Sequence, residues 1–200
     1  MYDRRMKAAS ADVTAFILAG GKSKRMGTDK AFVTLNGRTL LEQMVDLARS
    51  VCADVRIVRE RGKVSAFATV VEDVFRGCGP LGGIHAALRS SNTDLNLILA
   101  VDVPFLSAEF LEFMITKSRC GAMVTVARTS GGWQPLCAVY RREFADLAEM
   151  CLRARIYRID GLFFPATTLV IDEEELRVAG FTPELFRNLN TPQDLASAGE

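Results

Sequence analysis

Between Leu18 and Lys30 the chain reads LAGGKSKRMGTDK, with consecutive glycines, Gly20 and Gly21, ahead of Lys22, Lys24, Arg25 and Lys30. Residues without a side chain let backbone N–H groups approach a ligand closely. Four cations against Asp29 leave a net charge of +3 over the nine residues from Lys22 to Lys30. A polyphosphate is bound by this chemistry: backbone donors in a concavity, an Arg fork for its oxygens and a Lys as a point charge. A P-loop would need its first glycine where Phe16 stands, and no GxGxxG occurs. Taken alone, these residues would also suit a solvated glycine turn followed by a basic loop.

Three further stretches could carry chemistry. Val71-Glu72-Asp73 leads into GCGPLGGIHAAL, an acidic strand end running into a glycine turn that opens a helix. A helix start supplies unpaired N–H donors. Asp102-Val103-Pro104 follows the apolar run LNLILAV, so a carboxylate stands at the end of a buried strand. An Asp there suits Mg²⁺, which takes one or two carboxylates plus substrate phosphates, or else it caps the Pro104 turn. In Asn188-Leu189-Asn190-Thr191-Pro192 the alternate asparagines of a short strand would face one way, towards one site. Asn188 could equally satisfy backbone, and Thr191 suits the N-cap of a helix with Pro192 at its first position.

These loops need elements to hold them. Apolar runs predict strands over residues 13–18, 55–58, 69–71, 95–101, 122–127, 136–140 and 167–171, and helical spacing predicts helices over 39–52, 81–89, 108–117, 143–152 and 192–198. Thr39 with Glu42 makes a capping box, and Ser107 is an expected N-cap. Alternating strands and helices predict a single three-layer α/β/α domain over residues 13–200, with a mostly parallel Rossmann-like sheet and residues 1–12 as an N-terminal extension. Ligands of such sheets bind beyond the carboxyl ends of the strands, where the three loops fall.

With 25 Lys and Arg against 24 Asp and Glu, the formal charge of +1 argues against a nucleic-acid or membrane-surface partner. Five scattered cysteines with no CxxC, beside one His, support neither a disulfide framework nor a zinc site. The first twelve residues lack the apolar stretch of a signal peptide, so a reduced, cytoplasmic setting is expected. His85 reads as a satisfied helical histidine, and Trp133, after Gly131-Gly132, as a loop residue that either meets a second substrate or packs as a lid.

The pattern LAGG-x-S-x-R-M-G-x-D-K resembles the loop of the molybdenum cofactor guanylyltransferases, and more broadly of nucleotidyltransferases acting on sugars and cofactors. The likeness runs from Phe16 to Leu195 with the motifs in order. It implies the nucleotidyltransferase type of sheet, in which the backbone of Leu18, Ala19, Gly20 and Gly21 meets GTP and Arg25 and Lys30 hold phosphate oxygens. It also implies that Asp73 touches the nucleotide and that Gly79, Pro80 and Leu81, with Gly82 and Gly83, form the family's GPLxG wall for guanine. D-x-P-F from Asp102 to Phe105 resembles the family's metal-binding strand end, and N-x-N-T-P makes Asn190 a second metal or phosphate contact. Val58 stands where the family carries an Asn. Arg25, Lys30 and Asp102 are then the catalytic set, with Mg²⁺ as cofactor. The implied reaction moves GMP from GTP to the phosphate of molybdopterin, giving the guanine dinucleotide form and pyrophosphate, with molybdoenzyme-maturation proteins as candidate partners. A CTP-using or other cofactor or sugar-phosphate transferase, and a non-catalytic nucleotide-binding adaptor, stay open.

Overall fold

The computed structural model describes residues 9–20, 30–59, 67–75 and 77–198. The first strand, β1 (Ser10–Leu18), starts three residues ahead of the apolar run that predicts it. After the glycine loop a short hairpin, β2 (Thr34–Leu35) and β3 (Arg38–Thr39), turns at Asn36-Gly37. Both turn residues have positive φ, 53° and 78°, the backbone that an Asn-Gly pair accepts. Helix α1 (Leu40–Val51) carries the expected capping box, with Thr39 Oγ1 accepting from Glu42 N–H at 3.2 Å and Glu42 Oε2 accepting from Thr39 N–H at 2.8 Å. It passes without a loop into β4 (Cys52–Arg59).

The next strand and helix, β5 (Thr69–Glu72) and α2 (Pro80–Ser90), are followed by β6 (Leu95–Ala100). Helix α3 (Ala108–Ser118) begins at Ser107, whose hydroxyl accepts from Phe110 N–H at 3.2 Å. Then come β7 (Val124–Thr129), β8 (Gly132–Arg141), α4 (Phe144–Arg153), β9 (Thr168–Asp172), α5 (Glu173–Val178) and α6 (Pro192–Ala198). Among the described residues the main sheet has the order β5-β4-β1-β6-β8-β7-β9. β5, β4, β1 and β6 are parallel, as are β7 and β9, whereas β8 is antiparallel to both neighbours. The reversal follows from the Ser130-Gly131 turn, which is too short for a crossover and folds β8 back on β7.

Alternation along the strands feeds two cores. Val13, Ala15 and Ile17 of β1 join Leu95, Leu97 and Leu99 of β6 in one, against Leu41 and Met44 of α1 and Phe110 and Met114 of α3. Phe16 and Leu18 join Ile98 in the other, with Ile84 and Leu88 of α2 and Phe144 and Ala148 of α4. Helices therefore cover both faces of the sheet, the expected three-layer α/β/α arrangement. Register brings Leu18 level with Val58 and with Ala100, and Arg59 level with Glu72, so the loops after β1, β4, β5 and β6 leave from one edge.

Candidate functional site

Ala19 continues the ladder past β1, its N–H donating to the Val58 carbonyl at 3.0 Å. Gly20 follows, exposed. Gly21 and Arg25, with Lys22 and Lys24, lie outside the described residues. Lys30 is described at the far end of the loop, and its ammonium meets two oxygens, Asp102 Oδ2 at 2.7 Å and Asn190 Oδ1 at 2.5 Å. Their partners are distant in sequence and close in space.

Two constraints aim Asp102. Buried Val101 and Val103 flank it, and its own carbonyl accepts from Leu189 N–H at 2.9 Å. That bond docks the segment carrying Asn190. Asn188 and Asn190 are exposed on either side of fully buried Leu189, so the expected alternation holds, but the segment is extended coil and not a strand. Thr191 and Asp194 then close a capping box on α6, with Asp194 N–H donating to Thr191 Oγ1 at 3.1 Å and Asp194 Oδ2 accepting from Thr191 N–H at 2.8 Å. The same carboxylate accepts from Asn190 N–H at 2.9 Å, and these backbone donors, Asn190 first, hold its pKa below the usual value.

Could a cation sit here? Among the described residues no group of three or more His, Cys, Asp and Glu converges as a metal cage. The Lys30 ammonium itself marks the place where one carboxylate and one amide oxygen meet a positive charge. Such a donor set fits Mg²⁺, which keeps several waters and uses one or two carboxylates.

The second loop is built around a close approach. Asp73 N–H donates to the Arg59 carbonyl at 3.0 Å, and its Oδ1 accepts from Phe75 N–H at 2.9 Å. A Cβ at Gly82 would lie 2.8 Å from the Phe75 carbonyl and 3.0 and 3.1 Å from the Asp73 carboxylate oxygens. Gly82 thus lets Asp73 rest against the first turn of α2. Gly79, at φ 68° and ψ −162°, opens that helix without any side-chain cap; Pro80 carries no N–H and Gly82 N–H donates to the Gly79 carbonyl at 3.2 Å. Gly79 and Pro80 are exposed, whereas the Leu81 side chain is fully buried, so only its backbone can face a ligand.

Val58 is 3% exposed, with its Cγ1 3.8 Å from where a Gly83 Cβ would stand; beside it Leu18 packs on the same glycine. The position taken by Asn in the resembled family is part of the core here. Its neighbour Arg59, not singled out from the sequence, is 2% exposed with its guanidinium 5.1 Å from the Phe32 ring centre. Its only signal was a cation ending a parallel apolar strand.

Two expectations need correcting. Trp133 stands in β8 and not in a loop, with the Arg128 guanidinium 5.1 Å from its ring centre and Phe163 at 5.2 Å. His85 is only half satisfied: Nε2 lies 3.4 Å from Glu149 Oε2, while buried Nδ1 has no hydrogen-bond partner among the described residues. Burial pushes its pKa down despite that carboxylate.

A family model for the MobA-like NTP transferase domain matches residues 15–161. The molybdenum cofactor guanylyltransferase of Desulfosudis oleivorans is 34% identical over 189 residues, which cover 93% of this chain and 94% of that protein. Its counterpart from Syntrophotalea carbinolica is 33% identical over 191 residues, covering 90% and 88%. Among solved structures, the molybdopterin-guanine dinucleotide biosynthesis protein A from Archaeoglobus fulgidus superposes with a TM-score of 0.79 at 27% identity, covering 93% of this chain and 96% of that one. With the glycine loop, Asp73 and Asp102 all inside the matched span, the chain belongs to the family of MobA-like NTP transferase domains.

Proposed function

We propose that this chain transfers GMP from GTP to the phosphate of molybdopterin and releases pyrophosphate. The observation that carries the reading is the Lys30 ammonium held by Asp102 and Asn190 at the edge where the glycine loop and the uncapped start of α2 also open. The relatives named above as guanylyltransferases support the choice of donor.

In the reaction an oxygen of the acceptor phosphate attacks the α-phosphorus of GTP. A new P–O bond forms as the bond from that phosphorus to the bridging oxygen of pyrophosphate breaks. A phosphate is already ionised at neutral pH, so no side chain has to take a proton. What remains for the protein is alignment of two anions and relief of their repulsion. Backbone groups of Leu18, Ala19, Gly20 and Gly21 meet the donor nucleotide, and Arg25 and Lys30 pair with its phosphate oxygens. The guanine rests on the turn Gly79, Pro80 and Leu81, with Asp73 beside it. Asp102 and Asn190 would hold Mg²⁺, which when bound supplies charge neutralisation on the phosphates. Delivery to molybdoenzyme-maturation proteins and a cytoplasmic setting belong to the same reading. Among the described residues no helix is long and apolar enough to cross a membrane.

The test is incubation with GTP, Mg²⁺ and molybdopterin, with pyrophosphate and the dinucleotide product measured together. Both should appear in equal amounts, and calorimetry should give GTP at least tenfold tighter binding than CTP, about 1.4 kcal/mol. Absence of pyrophosphate, or equal affinities, would overturn the reading.

A further inference from the structure

Helix α2 carries a histidine that packing alone does not explain. His85 is 5% exposed and stands three residues after Gly82, one turn further along the same face. Its Nδ1 is buried with no hydrogen-bond partner among the described residues. A buried polar atom left unpaired costs stability, and a leucine would fill the place without that cost. Burial, against the pull of Glu149 and Asp73, keeps the pKa of His85 below its usual value, so the ring is uncharged at neutral pH.

What the ring touches belongs to the second loop of the site. The Phe75 ring meets it edge to face, with centroids 5.0 Å apart and planes at 86°. Phe75 is partly buried against the core while its neighbour Val74 is 70% exposed, so the Phe75 ring anchors the turn from β5 to α2. Through its backbone the same residue fixes Asp73. Phe75 N–H donates to Asp73 Oδ1 at 2.9 Å, and the Phe75 carbonyl faces Gly82 beside both carboxylate oxygens. Where the ring settles, the carboxylate must follow. On the other side of the imidazole, Nε2 lies 3.4 Å from Glu149 Oε2, and Arg89 and Arg153 hold that carboxylate at 2.7 Å each. The imidazole is thereby held between α4 and the turn that carries Asp73.

We infer that His85 is a positioning residue for the donor nucleotide: oriented by Glu149, it seats the Phe75 ring, and Phe75 sets where the Asp73 carboxylate stands. The inference rests on the assignment of Asp73 to GTP in the proposed function. It also accounts for the unpaired Nδ1, because a ring with one nitrogen tied to α4 leaves the other buried.

His85→Leu keeps most of the bulk, removes the unpaired nitrogen and cuts the tie to Glu149, so Phe75 loses its fixed seat. The melting temperature should hold or rise, whereas calorimetry on the whole protein should show GTP bound about tenfold more weakly, a change of about 1.4 kcal/mol. In turnover the loss should fall on KM for GTP and not on kcat. In an Asp73→Ala background the same substitution should add less than about twofold, because its effect passes through that carboxylate. Phe75→Leu should repeat this pattern from the partly exposed turn, and it carries the test if His85→Leu does not fold. GTP affinity unchanged by both substitutions, beside a clear loss in Asp73→Ala, would overturn the inference and leave the donor site standing. A full tenfold loss in the Asp73→Ala background would overturn it as well, by giving His85 another route to the nucleotide. If Asp73→Ala binds GTP as tightly as the unmodified protein, the assignment of Asp73 falls and the inference falls with it.

Discussion

An ammonium held by a carboxylate on one side and an amide oxygen on the other is a charge waiting for a stronger competitor. The Lys30–Asp102 pair is about one-fifth exposed on each side, a setting in which an ion pair contributes about 1 kcal/mol or less to stability. Asp102→Asn keeps the shape and an acceptor for Lys30 but removes the charge for a cation. We expect Mg²⁺-dependent turnover to fall at least about a hundredfold, since one preorganised charge is commonly worth that much. Metal-free GTP binding should change little, and the melting temperature should move by no more than a few degrees. Pyrophosphate release at the unmodified rate under saturating Mg²⁺ would make Asp102 a turn cap. Residues of this kind were legible in the sequence because a charge at the end of an apolar strand is costly unless something meets it. Val58 was legible only as a substitution, and its place in the core between Leu18 and Gly83 depends on a helix more than twenty residues away. The contact of Trp133 with Phe163, thirty residues on, was hidden for the same reason, and that with Arg128 waited on the pairing of β7 with β8.

Between β5 and α2 the decisive quantity is space. A methyl group at Gly82 would meet backbone oxygen at 2.8 Å, closer than real Cβ atoms come, so either Phe75 or Asp73 must move. Ala is otherwise the better helix former by about 1 kcal/mol. Gly82→Ala should therefore leave global stability nearly unchanged, or lower it slightly, while weakening GTP binding severalfold through the displaced Asp73. Calorimetry beside urea unfolding checks this, and undiminished affinity would show that Asp73 does not serve the nucleotide. Strong signals found most elements: the Thr39 capping box and the Ser107 N-cap stand where expected, and α6 keeps its expected bounds. Helix α5 escaped notice because its six residues begin with three glutamates and bury only Leu176. The β2–β3 hairpin escaped because its strands are two residues each, although Asn36-Gly37 is itself a hairpin signal.

Across the molecule, α2 and α4 are joined by a charged clasp on the face opposite α1 and α3. Glu149 accepts from Arg153 and Arg89 at 2.7 Å each and lies 3.4 Å from His85, and the hydrogen bonds from Arg153 first, then Arg89 and His85, hold its pKa down to about 2. A carboxyl depressed by folding contributes stability that is complete above its unfolded value, about 4.3, and disappears as pH falls towards 2. Melting temperatures at low salt should thus drop more steeply between pH 4.5 and 2 for the unmodified protein than for Glu149→Gln. Equal slopes would show the clasp to be idle, as solvent-exposed pairs often are. The three-layer plan was legible because apolar runs of strand length alternate with helical spacing. The reversal of β8 was not, since only the two-residue turn before it decides direction.

Lys30 and Asn190 stand 160 residues apart in the chain, and the bond between them closes only after β6 has presented Asp102 and Leu189 has docked on it. During synthesis, then, Lys30 is in place long before its ammonium can find this second oxygen. A partly made protein lacks the Asn190 oxygen and cannot complete the grip. On the proposed function, the site is therefore complete only once the segment that follows α5 has been made and docked on Asp102.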